Sequence, residues 1–72
     1  MAEAHDERLV TLVHDLRTPL TIVQGFADLL ARQGPGLSEG QRTEYVGRIA
    51  DAAHEMKAIL DQERNERLTA DQ

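Results

Sequence analysis

His14 and Asp15 stand side by side in the stretch Leu12–Val23, LVHDLRTPLTIV, with Thr18 four residues after the histidine and Pro19 next. A neutral imidazole is a good nucleophile at physiological pH. A carboxylate near its other ring nitrogen holds the tautomer and stabilises the positive charge that develops as a bond forms. Thr18 offers a hydroxyl that can hold a water beside a modified His14, and Arg17 offers a cation for a phosphate or carboxylate. Each of these residues also has an ordinary reading. A lone exposed histidine on a helix is usually a surface residue, an aspartate beside it is common, and Thr and Pro occur in kinked helices without function.

Helices must position these groups. Apolar residues recur at Leu9, Leu12, Leu16, Leu20, Val23, Ala27 and Leu30, with Val13 beside them, in steps of three and four. At about 100° per residue, His14 falls roughly 160° from the centre of that stripe. Thr18, Thr21 and Gly25 share its outward side, so the imidazole is expected on a solvent-facing strip of small neighbours. Pro19 lacks the N–H that would reach the Asp15 carbonyl, and a bend is expected within a turn of His14. Ile22, Phe26 and Leu29 lie off the stripe and widen the apolar surface, which calls for more than one neighbour.

Two glycines bracket a proline in RQGPGLS, residues 32–38, a cluster that ends a helix and permits a reversal. Ser38 followed by Gln41 has the form of a capping box for a helix beginning at Glu39. Tyr45, Val46, Ile49, Ala52, Ala53, Met56, Ile59 and Leu60 then repeat the helical spacing. The chain therefore reads as one all-α domain over residues 1–72. Its first helix covers about 3–32, its loop about 33–38 and its second helix about 39–68, and the polar tail ERNERLTADQ is expected to fray. Such an antiparallel hairpin cannot cover its own apolar surface, whereas two hairpins in a four-helix bundle can. A homodimer is the expected state.

Composition narrows the classes further. Seventy-two residues bury too little surface to be comfortable alone, and with no cysteine there is neither a disulfide nor a thiolate metal site as a staple. A net charge of −5 argues against a nucleic-acid partner. No apolar run approaches the ~20 residues of a membrane span. A cytoplasmic location without direct membrane contact is expected, although a parent protein can be membrane-anchored. GPG lacks the lysine and the helix start of a phosphate-binding loop. His5 in the polar lead-in and His54 outside the second stripe are read as surface residues, and no metal-ligand spacing stands out.

The stretch HDLRTPLTIVQGFADLL closely resembles the phosphoacceptor segment of sensor histidine kinases, in the dimerisation and histidine-phosphotransfer domain of HisKA type. The family pattern is a histidine, an acidic residue, two variable positions, then Thr or Asn and Pro. Here it reads His14, Asp15, Leu16, Arg17, Thr18, Pro19. The likeness extends more loosely through EYVGRIADAAHEMKAIL, a generic amphipathic helix. The resemblance implies His14 as phosphorylated nucleophile, Asp15 as acid/base partner, Thr18 as the residue that orients water during dephosphorylation, and Pro19 as a hinge. It implies a dimeric four-helix bundle for two-component signal transduction. Its partners would be the chain itself, the ATP-binding catalytic domain of the parent kinase and a response-regulator receiver domain. ATP and Mg²⁺ would arrive with that catalytic domain, a separate α/β unit that these residues could not form, so no cofactor is expected on the hairpin itself. A phosphorelay carrier without its own ATP domain and a purely structural, signal-transmitting hairpin use the same sequence features and stay open.

Overall fold

The computed structural model describes residues 2–70 and the side chains of residues 7–65. Two long helices, α1 (Ala2–Gln33) and α2 (Glu39–Ala70), are joined by a short 3₁₀ turn at Gly34–Gly36 and pack against each other as an antiparallel hairpin. His5, the polar lead-in and the far end of the polar tail lie outside the described side chains.

The reversal is built from polar contacts that the sequence encodes. The Ser38 amide donates to Gln41 Oε1 at 3.0 Å and the Gln41 amide donates to Ser38 Oγ at 3.1 Å, a reciprocal capping box on α2. The Gly34 carbonyl at the start of the turn accepts from the Leu37 amide at 3.3 Å and from the Arg42 guanidinium at 2.8 Å, which ties the turn to α2. Among the described residues no glycine has positive φ. The turn therefore reverses through right-handed 3₁₀ geometry, with Pro35 supplying its fixed φ, rather than through a left-handed glycine cap.

The apolar stripe of α1 divides into two lines in the folded chain. Leu12, Leu16, Val23, Phe26 and Leu30 are partly covered, and Pro19 between them has a fully buried side chain. On α2 the matching line is Tyr45, Ile49, Ala52, Met56 and Ile59, partly covered except for Ala52, which is buried. Two contacts define the register: the Phe26 and Tyr45 rings at 5.2 Å between centroids, and Arg8 Nη2 at 3.6 Å from Glu63 Oε1. Both fit a single antiparallel alignment, in which each step up α1 is matched by a step back along α2. Phe26, which sequence periodicity placed off the main stripe, is therefore part of the interhelical seam.

A second line faces solvent. Leu9, Val13 and Leu20 on α1 and Val46 and Leu60 on α2 are between 43% and 54% exposed. On each helix this line is turned by roughly 80° from the interhelical line, in the direction of chain advance. Because the helices are antiparallel, equal turns in that sense bring both lines to the same side of the hairpin. The slab measures 52 × 20 × 11 Å with a radius of gyration of 16.5 Å, against about 11 Å for a globule of this length. One layer of two helices cannot enclose a core.

Candidate functional site

Helix α1 continues unbroken through Pro19. The Thr21 hydroxyl donates to the Arg17 carbonyl at 2.9 Å, a back-bond that spans the turn containing the proline. The pyrrolidine ring points toward α2, where it is buried, and this leaves the opposite side of the same turns to His14, Thr18, Thr21 and Gly25.

All four of those residues are exposed. The His14 side chain is 83% exposed, and its Nδ1 lies 3.4 Å from Asp15 Oδ1, a long hydrogen bond. In the tautomer whose Nδ1–H donates to the carboxylate, Nε2 carries the free lone pair on this exposed ring. The geometry thus places an exposed imidazole with a carboxylate at one of its nitrogens. Thr18 sits one turn further along the exposed strip and Arg17 is exposed beside it.

Two concave regions flank this turn. One, of about 420 Å³, opens between the helices and is lined by Arg8, Thr11, Leu12, Asp15, Ile59 and Glu63 among others. Asp15 therefore borders both the histidine and the interhelical cleft, a placement that its position in the sequence does not reveal. The other is a shallow apolar depression on α1, where Leu9, Val10 and Val13 lead up to His14 and Arg17. Val10, at 66% exposed, was not part of any sequence pattern, because it belongs to neither apolar line.

The remaining charges behave as a solvated surface. His54 is exposed on α2. Lys57 Nζ donates to Asp61 Oδ2 at 2.8 Å, and this carboxylate raises the amine above its ordinary 10.5. Among the described residues no three His, Asp or Glu side chains gather as a metal site. No helix among them is long and apolar enough to cross a membrane.

An outward histidine beside a carboxylate, one turn before a proline on the first arm of a helical hairpin, defines a class. The chain matches the model of the His Kinase A (phospho-acceptor) domain over residues 5–65 and belongs to that family, the phosphoacceptor domain of the histidine kinases of two-component signalling. Among curated proteins, it is 41% identical over 59 residues to the circadian input-output histidine kinase CikA of Synechococcus elongatus, across 81% of this chain and 8% of that protein. It is 42% identical over 43 residues to the sensor protein EvgS of Escherichia coli, across 60% of this chain and 3% of that protein. The chain thus spans a small fraction of the relatives it matches. No solved structure matches it significantly.

Proposed function

We propose that His14 is the residue phosphorylated in this domain, receiving the γ-phosphoryl group of ATP and passing it to an aspartate of a response-regulator receiver domain. The observation that carries the reading is the pairing of Nδ1 with Asp15 on a histidine whose side chain is 83% exposed. In the forward step the Nε2 lone pair attacks the γ-phosphorus as the bond to the β–γ bridging oxygen breaks. ADP leaves, and the Asp15 carboxylate stabilises or accepts the Nδ1 proton as the ring gains positive charge. Phosphoryl transfer is chiefly a matter of position and charge. The hairpin supplies position, and a separate catalytic domain supplies ATP and Mg²⁺. In the separate phosphatase reaction Thr18 orients a water that attacks the phosphorus of the receiver's aspartyl phosphate, breaking its bond to the carboxylate and releasing inorganic phosphate. Pro19 is the hinge that lets an incoming signal change the presentation of His14.

The working unit in this proposal is a homodimer, two hairpins closed into a four-helix bundle over the solvent-facing apolar line. Its support is the excess surface. The chain exposes 5800 Å², against about 4,400 Å² for a compact monomer of 8.0 kDa. Sedimentation at micromolar concentration should give twice the chain mass, and a folded monomer would remove this part of the reading.

The chemical test mixes the chain with a histidine-kinase catalytic domain, Mg²⁺ and γ-labelled ATP. Acid-labile label on wild type, absent from His14→Gln, is the expected result, followed by loss of the label to an added receiver domain. Label that persists in His14→Gln would place the chemistry elsewhere. A wild type that never labels would favour a structural, signal-transmitting hairpin.

A further inference from the structure

Among the described residues, only one on α1 and one on α2 are buried, Pro19 and Ala52. Every other described helical side chain is half-buried or exposed. The register set by Phe26 with Tyr45 and by Arg8 with Glu63 places these two residues level with each other across the hairpin. Proline has no amide to give the helix, and its ring thickens α1 at one level. A residue with a single methyl group stands on α2 at that level, 4% exposed. On one side of this point lies the cleft that Asp15 borders, lined by charged and polar side chains together with Leu12 and Ile59. On the other the helices are joined by the aromatic pair.

We propose that Ala52 is a positioning residue for His14: it is the seat on which Pro19 rests, so the tilt of the α1 segment carrying His14 is set from α2. A larger side chain at position 52 would push the proline ring off α2. Packed interiors yield by moving backbone rather than by compressing. The capped loop and the Phe26–Tyr45 pair hold one end, so the displacement falls on the arm that bears His14 and Asp15. The rate consequence rests on the phosphoacceptor role of His14, whereas the geometric consequence does not.

The test therefore has two arms. The chain contains no cysteine, so spin labels go in without competition. One labelled pair is placed at Glu7 and Arg64 and another at Asp28 and Thr43, each level across the hairpin and exposed, and labelled chain is diluted into unlabelled chain. Ala52→Val is expected to lengthen the Glu7–Arg64 distance by about one C–C bond, ~1.5 Å, and to leave Asp28–Thr43 unchanged. Adding Pro19→Ala to Ala52→Val should restore the first distance, while Ala58→Val, the same change at an exposed site on α2, should move neither.

In the second arm, Ala52→Val should slow phosphoryl transfer to His14 by up to about a hundredfold through kcat, with little change in KM for ATP. With Pro19→Ala added, the rate should return to that of Pro19→Ala alone, the reference that carries any effect of removing the hinge. Equal movement of both distances, movement of neither, or a failure of Pro19→Ala to relieve Ala52→Val would overturn the proposal. Should Ala52→Val alone not fold, the double variant decides: recovery of helicity supports the seat, and no recovery rejects it. A wild type that never labels bears on the phosphoacceptor assignment and leaves the distances to judge the seat.

Discussion

The two ends of the hairpin are held by different forces. At the loop end, Phe26 meets Tyr45, Leu37 is 9% exposed, a reciprocal capping box starts α2 and Arg42 closes on the Gly34 carbonyl. Toward the open end the half-buried Leu12 and Ile59 border a cleft that also takes in charged and polar side chains, and Arg8 meets Glu63 at 3.6 Å with both side chains in contact with solvent. Apolar burial and satisfied helix termini give stability that salt does not screen, whereas partly exposed ion pairs contribute little. His14 lies on the loosely held side of Pro19, and the difference teaches where movement is cheap. The loop end is the anchored one.

The comparison can be broken by substitution at each end. Phe26→Ala should have the largest effect, about 2 kcal/mol of unfolding free energy, below the full range for a buried aromatic because Phe26 is only half-buried. Urea titration read by helical circular dichroism checks it, with protomer concentration held constant because association contributes to stability. Ser38→Ala comes next, at about 1 kcal/mol, through the lost bond to the Gln41 amide. Amide exchange should accelerate most in the first turn of α2. Smallest is Arg8→Ala, a few tenths of a kcal/mol in the same titration. An Arg8→Ala cost equal to that of Phe26→Ala would invert the picture of which end is anchored.

Much of the molecule was legible in the chain because local rules dominate a hairpin. The steps of three and four, the GPG punctuation and the Ser38–Gln41 spacing each depend on neighbours within a few residues, and each has its counterpart in the structure. The outward placement of His14 follows from the same periodicity. The division of the apolar surface was not legible. Leu16 and Leu20 lie within one turn of each other on α1, yet Leu16 is half-buried against α2 and Leu20 is 43% exposed. A helical wheel ranks directions by hydrophobicity, and two adjoining apolar directions look like one broad stripe until a neighbouring helix takes one of them. Phe26 was misplaced for the same reason.

The sequence by itself determined the two helices, the reversal between them, the phosphoacceptor family and the exposed His14 beside Asp15, because periodicity, capping and adjacency act over single turns. Only the tertiary structure decided which apolar line α2 covers, that Pro19 rather than a leucine is the most deeply buried residue of α1, and that Ala52 stands level with it. Those outcomes depend on the antiparallel register, a relation between residues many turns apart in sequence, from Phe26 with Tyr45 to Arg8 with Glu63, on which no single-turn rule acts.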